Sequence, residues 1–293
     1  MRILFIGAVK FSEKMLLKLI SIQAEIVGVI TLQKSAFNTD HHDLTSICKE
    51  AGIPVKYSEN INSSGDLNWI KSKKPHVIYC FGWSRLLKTS ILNVAPLGVI
   101  GYHPAALPKN RGRHPLIWAL VLGLEETAST FFFMDEGADS GDIISQYPVK
   151  IESYDDAGTL YKKITKVAQK QVVEITESLK KGSFIRTPQN HKKATYWRKR
   201  SKIDGKIDWR MSSKSIHNLV RALAKPYAGA HFDFENKIIK VWAADVIKSI
   251  EGNIEPGKVI SSDLSGTIVK TGDHYIKLKK LEPKIKLNRD IYL

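Results

Sequence analysis

The sequence predicts an α/β protein: a Rossmann-like, mostly parallel sheet with helices on both faces, followed by a small C-terminal barrel. With 293 residues the chain exceeds one typical domain but falls short of three, and a hydrophobic content of 43% can fill a large core. In the first half, apolar runs bounded by turns alternate with stretches of helical apolar spacing, which is typical of a doubly wound sheet. Towards the end, short strands separated by turn residues indicate a barrel.

The first elements form a βαβ unit. Residues 2–7 and 24–31 are β-branched or aromatic runs, and residues 12–22 between them carry apolar side chains at helical spacing. The turn at residues 7–11 lacks a Gly-x-Gly-x-x-Gly pattern, which argues against a standard dinucleotide site. Further along the chain, helices are predicted at 43–51, 66–72, 115–122 and 154–181, and strands at 53–57, 76–81, 98–103, 127–134 and 142–150.

The chain is predicted to divide after the long amphipathic helix, for which Gly182 is a natural stop. We therefore expect a first domain over residues 1–182, a polar and basic connector over 183–206, and a C-terminal domain over 207–293. The C-terminal domain is predicted to contain a helix at 213–224 and strands at 229–234, 238–244, 257–262, 266–270 and 275–281.

Composition narrows the classes of protein. A formal net charge of +16 creates a positive field that attracts phosphates, without choosing among nucleotides, nucleic acids and lipids. Two cysteines, Cys48 and Cys80, are too few for a disulfide scaffold, so a reducing, cytoplasmic location is expected. No apolar run approaches the roughly 18 residues of a membrane span. Lys10 interrupts the apolar start, which argues against a signal peptide.

The most informative motif combines a histidine at the end of an apolar strand with an aspartate further along the chain. His103 closes the strand at 98–103, and a proline-bounded loop with two arginines follows it. Asp139 stands in an Asp-Ser-Gly turn after the strand at 127–134. Because the carboxyl ends of parallel strands meet at one edge of a sheet, we expect both side chains at that edge. Such an arrangement is typical of an enzyme.

The stretch at 101–115, Gly-Tyr-His-Pro-Ala-Ala-Leu-Pro-Lys-Asn-Arg-Gly-Arg-His-Pro, resembles the His-x-Ser-Leu-Leu-Pro-x-x-Arg-Gly signature of the folate-dependent formyltransferases. The Asp-Ser-Gly at 139–141 resembles their Asp-Thr-Gly, and the similarity continues at 207–209 and 220–230. Residues 111–118 resemble the nucleotide-sugar N-formyltransferases more than the methionyl-tRNA formyltransferases, whose loop usually reads Arg-Gly-Ala-Ala-Pro. The resemblance implies a catalytic formyltransferase domain and a C-terminal open barrel of the oligonucleotide-binding (OB) type.

The resemblance implies that His103 and Asp139 are catalytic. Formyl transfer needs an amine nucleophile in position, a hydrogen-bond donor for the developing oxyanion and a route for the amine proton. Protonated His103 can supply the donor. Asp139 can orient the imidazole, favour its protonated form through its negative charge and help to move protons.

Gly101 departs from the family pattern, which normally has an asparagine two residues before the histidine. Residues two apart on a strand point the same way, so the missing amide belongs beside His103, whereas Tyr102 faces the opposite side. Tyr102, Asn110, a backbone N–H or a water can substitute, and Tyr102 is included among the catalytic candidates. Because Gly101 leaves side-chain space on the His103 face, we expect an asparagine to fit there.

Binding residues follow from the resemblance and from charge. The resemblance assigns the donor, N10-formyltetrahydrofolate, to a loop after the strand at 76–81 and to the backbone near Asp139; the candidates are Trp83, Arg85, Leu86, Leu87, Ala138 and Asp139. Anions are favoured where a basic loop meets the start of a helix at Pro115, and a basic, aromatic run in the connector can stack a base and neutralise phosphates. The acceptor-binding candidates are Lys109, Asn110, Arg111, Arg113, His114, Tyr196, Trp197 and Arg198. His, Cys and carboxylates do not cluster at metal-ligand spacing, so no metal is expected.

Three functions remain open at this point. The leading one moves the formyl group to the amine of a nucleotide-linked amino-deoxy sugar, for surface polysaccharide biosynthesis. The resemblance implies a 4-amino-4,6-dideoxyhexose on UDP or dTDP as the acceptor class. Its expected partners are the folate donor and the nucleotide sugar, and neither a specific nucleic acid nor a membrane is expected. The sequence does not decide between a monomer and a homodimer. The alternatives are methionyl-tRNA formylation, which the charge and the barrel suit, and a catalytically silent folate- or nucleotide-binding homologue, which Gly101 suggests.

Overall fold

The fold was analysed in a computed structural model that describes residues 1–34, 40–248 and 252–293. Internal contacts divide the chain into two compact units. Unit 1 comprises residues 1–115, 127–149 and 162–197, and unit 2 comprises residues 116–126, 150–161 and 198–293.

The elements before residue 198 alternate between strands and helices. The strands are β1 (Ile3–Ile6), β2 (Ile26–Thr31), β3 (Val55–Tyr57), β4 (Val77–Cys80), β5 (Val99–His103), β6 (Arg111–Gly112), β7 (Glu126–Phe133), β8 (Ile143–Lys150) and β9 (Tyr196–Trp197). The helices are α1 (Lys10–Ser21), α2 (Thr45–Glu50), α3 (Ser64–Ser72), α4 (Thr89–Leu92), α5 (Pro115–Val121) and α6 (Ala157–Lys181). The sequence predicted these elements except α4, β6 and β9, which are too short to show a periodic pattern.

Seven of these strands form one sheet in the order β3-β2-β1-β4-β5-β7-β8. β1 lies between β2 and β4 and runs parallel to both, and all four of its residues are fully buried. Continuous apolar strands are typical of parallel strands that are covered on both faces. The predicted Rossmann-like, mostly parallel sheet is therefore confirmed.

β7 differs from the expected parallel arrangement, because it runs antiparallel to β5. Its last residue, Phe133, pairs with Ile100, so the carboxyl end of β7 does not lie beside His103. The sequence predicted that the strands before His103 and Asp139 end at the same edge of the sheet. This prediction is wrong, because β5 and β7 end at opposite edges. The loop at 134–142 brings Asp139 back towards the imidazole.

Unit 2 contains α7 (Ser213–Ala222), β10 (Ala230–Phe234), β11 (Lys237–Ile247), β12 (Val259–Asp263), β13 (Gly266–Lys270) and β14 (Tyr275–Glu282). The hydroxyl of Ser212 accepts a hydrogen bond from the N–H of Ser215 and so caps the start of α7. The strands form an antiparallel sheet in the order β10-β11-β14-β13-β12, with β10 and β12 at its edges. Unit 2 is thus an OB-like domain with an open sheet.

The units do not follow the predicted boundaries. Residues 183–197 of the expected connector belong to unit 1, where β9 pairs with β6. Residues 150–161 belong to unit 2, because Arg221 donates to the carbonyl oxygens of Glu152 and Asp155 at 3.3 and 2.9 Å. Sequence reasoning missed both groupings because they depend on pairing between residues far apart in the chain.

None of the helices in the described parts of the chain is long and apolar enough to cross a membrane.

Candidate active site

His103 lies at the carboxyl end of β5, and only 4% of its surface is exposed. Its Nε2 is 2.7 Å from the backbone carbonyl oxygen of Asn110. A carbonyl oxygen only accepts hydrogen bonds, so Nε2 must carry a proton. The loop after β5 therefore fixes the tautomer of the neutral imidazole, in which Nε2 carries the proton and Nδ1 does not.

Asp139 faces Nδ1 of the same ring. The distance from its Oδ2 to His103 Nδ1 is 3.5 Å, which is short enough for an ion pair but longer than a good hydrogen bond. The same oxygen accepts a 2.9 Å hydrogen bond from the N–H of Gly112. The structure thus brings the two catalytic candidates together, and a backbone N–H from β6 holds the carboxylate.

Tyr102 is not brought to the imidazole. Its hydroxyl is 3.1 Å from Oγ of Ser129, and its ring stacks on Phe11 with 4.2 Å between ring centroids. Burial raises the pKa of Tyr102. Tyr102 and His103 are adjacent on a strand and point to opposite faces, so its inclusion among the catalytic residues is not supported by the geometry.

The space expected beside Gly101 is filled. A Cβ atom at this position would come within 2.8 Å of Met134 Cγ and 3.0 Å of Phe132 Cζ, both of which are side-chain atoms. The expectation of room for an asparagine is therefore wrong for the packing observed. Sequence reasoning missed it because Met134 and Phe132 come from the antiparallel neighbour β7 and the loop that follows it.

A cavity of about 260 Å³ opens beside this pair. Asp139 lines it, together with Val9, Asp40, Cys80, Gly82, Trp83, Ser84, Gly101, Tyr102, Phe132 and Met134. The buried indole N–H of Trp83 has no hydrogen-bond acceptor among the described residues. Burial raises the pKa of the Cys80 thiol to about 12, so this sulfur stays protonated at neutral pH. The cavity therefore combines two acidic residues, Asp40 and Asp139, with aromatic and apolar walls.

A second, larger cavity of about 580 Å³ shares Met134 with the first. Its apolar walls include Leu92, Val99 and Phe133, and the acidic residues Asp135 and Glu136 also line it. The remaining lining residues are Thr89, Asn93, Ala95, Pro96, Gly98 and Arg186. None of these residues was among the sequence candidates, because an ordinary helix, a strand end and an isolated arginine carry no recognisable pattern.

The predicted folate-binding residues divide into two groups. Trp83 and Asp139 line the smaller cavity, and Leu87 is buried in the core of unit 1. Arg85, Leu86 and Ala138 are exposed, with 75% of the Leu86 surface accessible.

The expectation that Arg111 binds the acceptor does not agree with its position in the structure. Only 1% of its surface is exposed, and its guanidinium donates to Gln189 and Tyr196 inside unit 1. A side chain enclosed in this way is not available to a nucleotide. Its spacing within the motif indicated importance but did not reveal that it points inward.

The other acceptor candidates of unit 1 lie on the loop after β5 and on β9. Lys109 and Arg113 are exposed, and Nη1 of Arg113 is 3.5 Å from the carbonyl oxygen of Ser84, which lines the smaller cavity. The carbonyl oxygen of Asn110 faces His103 and its N–H donates to the Thr195 hydroxyl just before β9, whereas His114 has a positive φ of 57°. The exposed ring of Tyr196 lies over the Arg111 guanidinium, and the carbonyl oxygen of Trp197 accepts from the N–H of Arg113.

Arg198 belongs to unit 2, and a carboxylate already engages it. Two guanidinium nitrogens donate to the two oxygens of Asp204, one of them at 2.9 Å. The guanidinium also lies over the ring of Trp118, 5.4 Å from its centroid. A phosphate would have to compete with this bidentate pair, which the sequence did not predict.

No group of three or more His, Cys, Asp or Glu side chains within the described ranges is arranged to hold a metal ion.

Comparison with known proteins agrees with this geometry. Residues 1–176 match the family model "Formyl transferase", and residues 199–290 match "Formyl transferase, C-terminal domain". A methionyl-tRNA formyltransferase of Desulforamulus reducens is 32% identical over 286 residues, covering 96% of this chain and 90% of the relative.

Solved structures show the same fold at low identity. An N-formyltransferase from Helicobacter canadensis, in complex with folinic acid and dTDP-3-aminofucose, aligns with a TM-score of 0.73 at 19% identity, over 95% of this chain and 98% of that one. HypX from Aquifex aeolicus aligns with a TM-score of 0.70 at 19% identity over 98% of this chain, which spans 47% of the HypX chain. With matches to both family models and a relative of this similarity along nearly the whole chain, the protein belongs to the formyl transferase family.

Proposed function

We propose that this enzyme transfers the formyl group of N10-formyltetrahydrofolate to the amine of a nucleotide-linked amino-deoxy sugar. The observation that carries the transfer chemistry is the pairing of buried His103 with half-buried Asp139, which lines the smaller cavity; Met134 lines both this cavity and the larger one. Two adjoining cavities suit a reaction between two substrates that must meet at one point.

The larger cavity is the better place for the pterin of the donor. A pterin is a flat aromatic ring with an edge of N–H donors, and ligand sites of this kind combine apolar walls with a few polar groups. Leu92, Val99 and Phe133 supply such walls, and Asp135 and Glu136 supply acceptors. The formyl end then points past Met134 towards Asp139.

His103 and Asp139 would divide the chemistry between them. When the amine attacks the formyl carbon, negative charge develops on the formyl oxygen and the amine acquires a positive charge. The imidazolium can donate its Nδ1–H to that oxygen, because Nε2 is already bound to the carbonyl of Asn110. The carboxylate of Asp139 stabilises the imidazolium and can accept the proton that the amine loses. When the tetrahedral intermediate collapses, the bond between the formyl carbon and N10 breaks, and the same carboxylate can return that proton to N10 of the leaving tetrahydrofolate.

The acceptor is expected at the open side of the smaller cavity. Arg113 is exposed there, with its guanidinium close to Ser84, and can bind a diphosphate. The exposed ring of Tyr196 offers a surface on which a nucleobase can stack. A structural neighbour in complex with dTDP-3-aminofucose supports an acceptor of this kind.

Methionyl-tRNA is the second candidate acceptor. The relative from Desulforamulus reducens carries that activity in its name, and a net charge of +16 suits a polyanion. The sugar remains the preferred acceptor because residues 111–115 read Arg-Gly-Arg-His-Pro. The loop of the methionyl-tRNA formyltransferases usually reads Arg-Gly-Ala-Ala-Pro. The presence of both His103 and Asp139 speaks against a silent homologue.

An acceptor panel tests the proposal. Purified protein with N10-formyltetrahydrofolate should formylate at least one UDP- or dTDP-linked 4-amino-4,6-dideoxyhexose at physiological salt, as followed by mass spectrometry of the sugar. Methionyl-tRNA and uncharged tRNA should not be formylated in the same assay. Efficient formylation of methionyl-tRNA, with no sugar accepted, would establish the second candidate instead.

A further inference from the structure

Residues 187–197 form a strap that runs beside the catalytic pair. Thr187 exchanges two backbone hydrogen bonds of 2.9 Å with Ile143 at the start of β8. At the other end, the N–H of Asn110 donates to the Thr195 hydroxyl at 2.8 Å, and β9 pairs with β6. The strap therefore contacts both the chain that follows His103 and the strand that follows the Asp139 loop.

A buried guanidinium lies under the strap. Arg111 donates through Nε and Nη2 to Oε1 of Gln189, at 3.2 and 2.6 Å, and through Nη1 to the hydroxyl of Tyr196 at 3.0 Å. Its Nη2 is also 3.3 Å from Nδ1 of His191. None of these partners is a carboxylate, so the arginine depends on a well-placed neutral oxygen, and Gln189 supplies it twice.

Gln189 uses the other end of its amide to hold the loop of Asp139. Its Nε2 donates to the carbonyl oxygen of Asp139 at 3.0 Å and to that of Gly141 at 2.6 Å. Only 6% of the Gln189 surface is exposed. An amide has two N–H donors and one oxygen, and here both donors point at the catalytic loop while the oxygen is fixed by Arg111.

The loop needs such support. Asp139 has a φ of 54°, in the left-handed region that non-glycine residues rarely adopt. At Gly141 a Cβ would lie 1.8 Å from the carbonyl oxygen of Phe133, so the backbone is packed against β7 without room to adjust. Conformations of this kind persist only where neighbouring groups hold them.

We propose that Gln189 is a positioning residue for the transfer reaction, acting through Asp139, and that Arg111 keeps the Gln189 amide in the required orientation. The proposal rests on the proposed function, in which Asp139 stabilises the imidazolium and accepts the amine proton. The hydrogen bonds of the Gln189 side chain go to Arg111 and to backbone oxygens of the Asp139 loop rather than to the imidazole. It sets where the Asp139 carboxylate stands relative to His103.

Gln189→Glu is the decisive variant. The new carboxylate still accepts from Arg111, but it cannot donate to the carbonyl oxygens of Asp139 and Gly141 and repels them instead. Asn218→Asp is the matched control, because Asn218 is a buried amide in unit 2 whose oxygen accepts a 2.9 Å hydrogen bond from Arg221.

The kinetic readout separates positioning from binding. Gln189→Glu should lower kcat by about thirtyfold, since a displacement of about 1 Å at a catalytic group can cost about a hundredfold. KM for the donor and the melting temperature should stay close to those of the unchanged protein. In an Asp139→Asn background the same change should lower kcat by no more than about twofold, because residues that act as a unit are not additive.

A second measurement needs no acceptor, so it tests the positioning role even if the proposed function is wrong. The ring ¹⁵N signals of His103, assigned with His103→Gln, should move in Gln189→Glu and stay in place in Asn218→Asp. The positioning role would be overturned if the His103 ring signals did not move in Gln189→Glu. It would also be overturned if Gln189→Glu lowered kcat by the same factor in the Asp139→Asn background as in the unchanged protein. Absence of sugar formylation by the unchanged protein would instead refute the proposed function.

Gln189→Met covers the case in which the glutamate variant does not fold. It removes the amide without adding charge and should give the same kinetic and spectroscopic changes. Failure of both variants to fold would assign Gln189 to folding and overturn the proposal.

Discussion

His103 shows how one backbone contact decides the chemistry of a side chain. The carbonyl oxygen of Asn110 requires a proton on Nε2, so in the neutral ring the unprotonated nitrogen is Nδ1, which faces Asp139. The oxygen comes from a residue with a positive φ of 64°, in a loop that the strap holds. The tautomer thus depends on the conformation of the chain seven residues further along.

His103→Ala should lower kcat by about a thousandfold, equivalent to about 4 kcal/mol of transition-state stabilisation. Folate binding should be retained, because the loss falls on charge that develops in the transition state. Steady-state kinetics and calorimetric titration with 5-formyltetrahydrofolate measure the two quantities. His76→Ala, which removes an exposed histidine at the amino end of β4, is the control. A kcat above about a tenth of the unchanged value would remove His103 from the mechanism.

Gly101→Asn should destabilise the protein by about 1–3 kcal/mol, because a side chain added to a filled site must displace its neighbours. Met134 and Phe132 occupy that space. Adding Met134→Ala should recover most of the loss, since it removes Cγ and Sδ, both close to the new Cβ. Urea unfolding of the single and double variants measures the coupling. A single variant as stable as the unchanged protein would contradict the packing.

The strap illustrates what an element contributes beyond its own secondary structure. Its two-residue strand, β9, has no periodic pattern and makes a single short pairing with β6. Because β6 carries Gly112, whose N–H binds the Asp139 carboxylate, this pairing helps to hold one of the two catalytic candidates. A Cβ at Gly112 would lie 2.4 Å from the carbonyl oxygen of Trp197, so the two strands can approach only with glycine there.

In unit 2, the turn between β13 and β14 supports the start of α7. The carboxylate of Asp273 accepts from the N–H groups of Ser213 and His274, at 2.7 and 2.6 Å. Burial alone would raise the pKa of Asp273, but these hydrogen bonds outweigh it and lower the pKa to about 2. The ionised form is therefore the one that the folded state prefers.

Asp273→Ala should lower the free energy of unfolding by about 1 kcal/mol at neutral pH, the usual cost of losing a helix-capping carboxylate. A group with a lowered pKa stabilises above its unfolded pKa of about 3.9, and that stabilisation is lost as pH falls through the folded value. The difference should thus be constant above about pH 5, shrink as the pH falls towards about 2 and vanish only below that value. Urea unfolding across this range measures it. Asp245→Ala, which removes an exposed ion pair with Lys279, should change little, and an equal loss there would contradict the capping role.

The net charge of +16 acts over the whole molecule and makes binding of any polyanion a poor guide to function. Transfer RNA presents many phosphates, and each phosphate neutralised adds to the salt dependence of binding. A nucleotide sugar presents a single diphosphate. The dependence on salt, rather than the affinity at one salt concentration, distinguishes the two acceptors.

The apparent affinity for the nucleotide sugar should fall gently between about 50 and 200 mM salt, whereas tRNA binding should fall by about a thousandfold or more. The slope of log affinity against log salt, measured by titration, gives the number of phosphate contacts. Sugar formylation should persist at the higher salt. A shallow slope for methionyl-tRNA together with its formylation would identify tRNA as the specific acceptor.

The sequence could predict the alternation of strands and helices because buried parallel strands need continuous apolar runs and covering helices need an amphipathic period. It also predicted the pairing of His103 with Asp139, through the resemblance of both motifs. The direction of β7 escaped it, since a buried strand has the same apolar pattern in either orientation. The sequence also did not predict the roles of Arg111 and of residues 183–197. A charged or polar residue has the same sequence pattern whether it lies on the surface or in a buried hydrogen-bond network.

By itself, then, the sequence determined the class of fold, its two-part organisation and the two catalytic candidates that the structure brings together, because each depends on local pattern or on a motif within a short stretch. Only the tertiary structure decided how those residues are held. Gln189 meets Arg111 across 78 residues and reaches Asp139 across 50, and Met134 fills the space at Gly101. Such contacts depend on how distant segments pack and on which side chains exclude water, and these are properties that no local pattern records.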